Sequence, residues 1–282
     1  MKKAPKILKA DVLGFCMGVK RAMTITLGLA EKHPDLPIRT LGPLIHKPVA
    51  LEHLESKGIS VFKPGSEEKK GFLVIRAHGI PPAEEAGFRD AGYKVVDATC
   101  PRVQRSQRTA RKYSQEGYHV VIVGDKNHGE VRGISGYTES FCVISTKEEA
   151  RSIKVPPKTL VLGQTTFGKE DYAEICGILK EKNPDCVVFQ SICPATERRQ
   201  EALKKLLENV EAVLVVGGKN SANTARLYQT AEESGKKVWY VESANEIPPD
   251  ILDYGRIGIT AGASTPDWVI RDIDKKIKGG DF

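Results

Sequence analysis

Three cysteines divide the chain into near-equal parts, and that division constrains the fold more than any other feature. Cys16, Cys100 and Cys193 stand 84 and 93 residues apart, and 89 residues follow the last. Thiols spaced this way cannot build a local finger. They share one centre only if three similar lobes bring them together.

The segments between the cysteines repeat one order of elements. After each cysteine the pattern turns helical, over 18–33, 101–117 and 194–210, with Pro101 and Pro194 expected at the first helical position. Each cysteine then sits at a helix N-terminus, where the macrodipole favours the thiolate. A short apolar run ending at glycine follows, over 37–42, 119–124 and 212–217, and reads as a buried parallel strand. Polar loops come next, over 42–46, 124–130 and 217–224. Beyond a further helical stretch lie strands at 72–75, 159–162 and 256–260, each running into a second polar loop. A last strand leads into the next cysteine, over 93–97, 185–190 and, for the third unit, 7–13 at the N-terminus. The expected architecture is α/β: three similar αβ lobes with small, mostly parallel sheets, spanning 17–100, 101–192, and 193–282 completed by 1–16. Loops at the carboxyl ends of such strands are where ligands bind.

Composition narrows the class. The 282 residues, 40% of them hydrophobic, suffice for one large domain or two to three small ones. No run approaches the ~18 apolar residues of a membrane span, and the start does not resemble a signal peptide, so a cytoplasmic protein is expected. Six cysteines are too few for a disulfide scaffold. The formal charge of +7 suits an anionic substrate or an acidic protein partner as well as a plain solvated surface. Aromatic content of 6% shows no stacking groove for nucleic acid, although Arg102, Arg105, Arg108, Arg111 and Lys112 form a basic helical face.

Cys142, Cys176 and Cys186 lie in apolar patterns and read as core residues. The other three adjoin a glycine, a proline or a helix start. Structural zinc would want close cysteine pairs, which are absent, and a radical-type cluster would want its cysteines on one loop. A catalytic zinc with three cysteines is weaker because zinc supplies no electrons. A [4Fe–4S] cluster with three cysteine ligands and one open iron fits the spacing best. His33, His53 and His119 read as structural or surface residues, whereas His46, His78 and His128 all fall in strand-end loops. With Thr165, Thr166, Ser221, Asn223 and Ser264 they offer a ring of donors suited to a diphosphate. Glu130, two residues after His128, is the candidate proton donor. No P-loop or dinucleotide fingerprint is present.

These motifs resemble one family. Gly14-Phe15-Cys16-Met17-Gly18-Val19, Arg76-Ala77-His78-Gly79, Val96-Asp97-Ala98-Thr99-Cys100-Pro101, Gly163-Gln164-Thr165-Thr166, Ile192-Cys193 with Arg199-Gln200, and the run Gly258 to Ser264 are similar to the 4-hydroxy-3-methylbut-2-enyl diphosphate reductases across essentially the whole chain. The resemblance implies a trefoil of three lobes around an oxygen-sensitive [4Fe–4S] cluster held by Cys16, Cys100 and Cys193. It implies that His46, His78, His128, Thr166, Ser221, Asn223 and Ser264 bind the diphosphate. The substrate hydroxyl would meet the open iron, Thr165 and Glu130 would relay a proton to it, and water would leave as two electrons enter. Protonation of the resulting allyl anion at either end would give isopentenyl or dimethylallyl diphosphate. A ferredoxin or flavodoxin is the implied electron donor, and a monomer the expected state. Gly129, Lys47, Ala222 and Pro194 depart from the family's usual Pro, Asn, Ser and polar residue; Ala222 removes one diphosphate hydroxyl, for which the charge of Lys47 is a candidate compensation. A hydro-lyase without net reduction and a non-catalytic redox sensor remain alternatives for the same cysteines.

Overall fold

Strands buried on both faces need no alternation of polar and apolar residues, and the central strands of this protein have none. The structure is a computed structural model and describes residues 5–45, 48–65, 69–219 and 221–279. Strand β1 (Lys6–Lys9) leads to helix α1 (Met17–Lys32), then β2 (Ile38–Thr40), α2 (Pro48–Glu55), β3 (Ile59–Val61), β4 (Phe72–Ile75), α3 (Pro82–Asp90) and β5 (Lys94–Asp97). The chain continues through α4 (Pro101–Gln115), β6 (His119–Val123), α5 (Gly129–Ser135), β7 (Phe141–Ile144), α6 (Lys147–Ser152), β8 (Thr159–Gly163), α7 (Lys169–Lys182) and β9 (Val187–Val188). It ends with α8 (Ala195–Leu207), β10 (Ala212–Val216), α9 (Ala222–Glu232), β11 (Lys237–Val241), β12 (Arg256–Ala261) and α10 (Asp267–Gly279).

Three four-stranded sheets result, all pairings parallel, ordered β3-β2-β4-β5, β7-β6-β8-β9 and β11-β10-β12-β1. The order is the same each time: an outer strand, the strand after the cysteine's helix, the second buried strand, and the strand that leads into the next cysteine. The N-terminal strand completes the third sheet, with Ile7 opposite Ile257. Contacts divide the chain into two compact units, one of Met1–Lys20, Ile45–Ala50 and Pro194–Phe282, the other of Arg21–Leu44 and Leu51–Cys193. The first carries the β11-β10-β12-β1 sheet and the second carries the other two.

Packing explains the sequence runs. In β10, Ala212, Leu214 and Val216 face the helix α10 side with Val269, Ile270, Ile273 and Ile277, while Val213 and Val215 face Leu203, Leu206 and Leu227 of α8 and α9. In β6, Val121 and Val123 pack against Ile175 and Leu179 of α7, and Val120 and Ile122 against Ala110, Val131 and Ile134. Each such layer of aliphatic side chains contributes roughly 1.5–3 kcal/mol per buried residue.

The outer strands β3, β7 and β11 were not expected from the sequence, which suggested three strands per lobe. They are edge strands, only partly buried where the central strands are buried throughout. Two expected boundaries also shift. The first strand stops at Lys9 and gives way to a turn at Gly14, whose φ of 70° is left-handed. Pro194 is the N-cap of α8 rather than its first helical residue, so Cys193 lies one position before the cap. Among the described residues no helix is long and apolar enough to cross a membrane.

Candidate active site

The three cysteines are held by one repeated backbone device. Cys16 N–H donates to Ala263 O at 3.0 Å, Cys100 N–H to Ala77 O at 3.0 Å, and Cys193 N–H to Thr165 O at 2.7 Å. In every case the acceptor lies two residues past the end of the second buried strand, β12, β4 or β8. Each cysteine thus stands at the carboxyl end of its sheet and just ahead of a helix: Cys16 before Met17, Cys100 as the N-cap of α4, Cys193 before Pro194. All three are half-buried, and none is in a disulfide. The other cysteines behave differently. Cys176 and Cys186 are buried in the core, and burial pushes the Cys176 thiol up to about 11 and raises Cys186 and Cys142. A thiol held protonated in apolar surroundings is a packing group, not a ligand.

In the unit of Arg21–Leu44 and Leu51–Cys193, the loop after β6 carries His128 and Glu130. His128 caps α5: the Glu130 N–H donates to its Nδ1 at 3.2 Å. That ring nitrogen is therefore an acceptor, which leaves the proton of the neutral ring on Nε2. His78, in the loop after β4, stands with its ring 5.1 Å from that of His128, edge to face. Glu130 is 1% exposed. Its Oε1 accepts the Thr165 N–H at 2.6 Å and its Oε2 accepts the Thr165 hydroxyl at 2.9 Å. Burial pushes its carboxyl up to about 7, against the two Thr165 hydrogen bonds that pull it down. Such a group holds and releases a proton near neutrality. Gln164 braces the turn: its Oε1 accepts the Asp125 N–H and its Nε2 donates to Thr166 Oγ1. The Thr166 hydroxyl hydrogen is consequently directed elsewhere, and the residue is exposed.

Arg76 belongs to this cluster and was not assigned a role from sequence, because an arginine in a loop reads as surface charge. Its Nη1 donates to Pro43 O at 3.4 Å, and a Cβ on Gly129 would lie 3.5 Å from its Nη2. Burial, then the Arg132 charge, holds its pKa below the usual value. Among the described residues it makes no ion pair. An extra positive charge therefore faces the two histidine loops. His46 and Lys47 lie outside the described residues.

In the other unit, Arg199 performs a comparable task for Cys16. It is 1% exposed, with Nε donating to Ala261 O at 3.0 Å and Nη2 to Gly14 O at 2.6 Å, and so pins the Cys16 loop to the end of β12. Ser221 caps α9 by accepting the Thr224 N–H at 3.4 Å. Asn223, in the first turn of α9, has both amide atoms buried and without a hydrogen-bond partner among the described residues. Ser264 is half-buried one residue past Ala263. A buried, unpaired amide beside strand-end loops is costly unless a polar ligand satisfies it. The Ala222 side chain is not described.

Among the described residues no three His, Cys, Asp or Glu side chains converge on a single metal ion. Residues 7–278 match the model of the family described as LytB protein. The chain belongs to the LytB family. It is an oxidoreductase, as its LytB relatives are. The Treponema denticola protein named 4-hydroxy-3-methylbut-2-enyl diphosphate reductase is 44% identical, covering 97% of this chain and 99% of its own. The Aquifex aeolicus protein of the same name is 39% identical, covering 96% of each. A solved structure of (E)-4-hydroxy-3-methyl-but-2-enyl diphosphate reductase, described as the terminal enzyme of the non-mevalonate pathway, matches with a TM-score of 0.87 at 37% identity over 98% of this chain and 99% of that one. The Plasmodium falciparum E-1-hydroxy-2-methyl-but-2-enyl-4-diphosphate reductase structure matches at 0.79 and 25% identity, covering 97% and 88%. The α/β class with small parallel sheets, expected from sequence, is the LytB fold.

Proposed function

We propose that this LytB protein reductively dehydroxylates 4-hydroxy-3-methylbut-2-enyl diphosphate to isopentenyl and dimethylallyl diphosphate. The relatives' shared name supports the substrate, and the buried Glu130–Thr165 pair carries the mechanism. Three cysteines outside any disulfide, each fixed by its own backbone hydrogen bond at a strand end, suit a [4Fe–4S] cluster with three protein ligands. Cys16, Cys100 and Cys193 would hold it, and it would supply two electrons and an open Lewis-acidic iron for the substrate hydroxyl.

The chain's own residues do the rest. Glu130, with its carboxyl near 7, carries a proton in a useful fraction of molecules at neutral pH. When protonated, its Oε2–H donates to Thr165 Oγ1, and the threonine hydrogen turns outward to the leaving hydroxyl. One proton thus passes from Glu130 to the departing oxygen, which leaves as water. The Thr165 carbonyl is bonded to the Cys193 N–H, so the proton relay and a candidate cluster ligand share one residue. His78, His128 through Nε2–H, Thr166, Ser221, Asn223 and Ser264, with His46, are the proposed diphosphate donors, and Arg76 adds charge to them. The reading carries with it a cytoplasmic monomer of three lobes, 17–100, 101–192, and 193–282 with 1–16.

Replacing Glu130 with Gln tests this. The amide keeps the shape and the Thr165 contacts but has no titratable proton. The cluster's visible absorption should persist while turnover falls by at least about 100-fold. Full activity in that variant would overturn the relay.

A further inference from the structure

We infer that the outward face of α4, with the cavity beside it, is the docking surface for a small acidic electron-transfer protein. This rests on the reductase reading, because the reaction consumes two electrons that must come from outside the chain.

Among the described residues α4 is the only helix without an acidic side chain, and it carries Arg102, Arg105, Arg108, Arg111 and Lys112. Its buried side is Val103, Ser106, Gln107 and Ala110. At 100° per residue the five cations sweep an arc centred opposite those four. Arg105, Arg108, Arg111 and Lys112 are exposed, and Arg102 is half-buried. None of the four arginines pairs with a carboxylate among the described residues, and Lys112 alone approaches one, Glu116 at 4.0 Å. Two of them stack on rings: Arg105 lies 5.1 Å over Phe189 and Arg111 4.7 Å over Tyr137. Pre-ordered arginines lose less side-chain entropy on binding a carboxylate than free ones do.

The α3–α4 side of this face opens into a cavity of 430 Å³ whose lining includes Arg108, Arg111 and Tyr137. Of its two carboxylates, Glu85 pairs with Arg89 at 2.6 Å, while Asp97 keeps its charge and accepts from the Thr99 N–H and the Gln104 amide. Arg108 and Arg111 thus outweigh Asp97, and the lining keeps a net positive charge to attract an acidic side chain. A central pocket rimmed by arginines is a common anchor of protein interfaces. Cys100 is the N-cap of the helix, and Arg105 stands only ~8 Å farther along its axis. A donor docked here meets the element that carries a proposed cluster ligand.

The test uses the reconstituted protein and a purified acidic ferredoxin, with basic cytochrome c as an opposite-charge control. Binding is measured by surface plasmon resonance, and turnover is driven either by reduced ferredoxin or by dithionite. Arg105→Glu with Arg108→Glu should weaken ferredoxin binding at low salt at least about tenfold, lower ferredoxin-driven turnover in proportion, and leave dithionite-driven turnover unchanged. Lys57→Glu with Lys154→Glu, which removes equal charge elsewhere, should leave both unchanged. Ferredoxin affinity unchanged in the Arg105/Arg108 variant, or lowered equally in the Lys57/Lys154 variant, would overturn the inference. Absent dithionite-driven turnover in the unaltered protein would instead count against the reductase reading, since the binding measurement needs no turnover.

Discussion

Glu130 ties the proposed proton relay to stability at a single residue. Its folded carboxyl titrates near 7 and an unfolded one near 4.5, so between those pH values the folded protein holds a proton that the unfolded chain has released. Stability must therefore fall as pH rises through that window, by about 3 kcal/mol in all. Denaturant titrations of Glu130→Gln at pH 5 and pH 8 should show that loss abolished, with the variant the more stable protein at pH 8. Thr165→Val makes the opposite move. It removes a hydrogen bond that lowers the Glu130 pKa, so the limb of the pH–rate profile that reports this group should shift upward, while Thr165→Ser should restore it. Sequence alone singled these two residues out as candidates, from His128-Gly129-Glu130 and the Gly163-Gln164-Thr165-Thr166 run. Their contact was not, because it joins positions 35 apart through the ends of β6 and β8. Arg76 and Arg199 were illegible for a related reason. Only tertiary burial distinguishes an arginine that hydrogen-bonds loop carbonyls from one that solvates a surface.

At the scale of elements, legibility followed burial. Strands β6, β8 and β10 declare themselves because both their faces are covered, whereas β3, β7 and β11 have one open edge and are only partly buried. The same difference predicts stability. Leu214→Ala in β10 removes a fully buried side chain packed on α10 and should cost about 2–5 kcal/mol by denaturant titration. Phe141→Thr in the edge strand β7 affects a side chain 44% exposed and should change stability by no more than about 0.5 kcal/mol. The β12 loop makes a sharper case. A Cβ on Gly262 would come 2.2 Å from Thr224 Oγ1, so Gly262→Ala should cost about 1–3 kcal/mol, and adding Thr224→Ala should recover part of it.

For the whole molecule, the even division by three cysteines carried the fold class, because one β-α order recurs in each interval and one hydrogen bond recurs at each cysteine. Cys16, Cys100 and Cys193 differ from Cys142, Cys176 and Cys186 by their place at strand ends rather than in the core. The central claim is that the first three, and not the others, hold a cluster with one iron left for substrate. Anaerobic reconstitution followed by Mössbauer spectroscopy, with and without 4-hydroxy-3-methylbut-2-enyl diphosphate, tests it most directly. The account predicts a four-iron spectrum in which one iron differs from the other three and shifts when substrate is added, and predicts that Cys193→Ser abolishes it while Cys176→Ser does not. Four equivalent irons unmoved by substrate, or a cluster surviving Cys193→Ser, would contradict it.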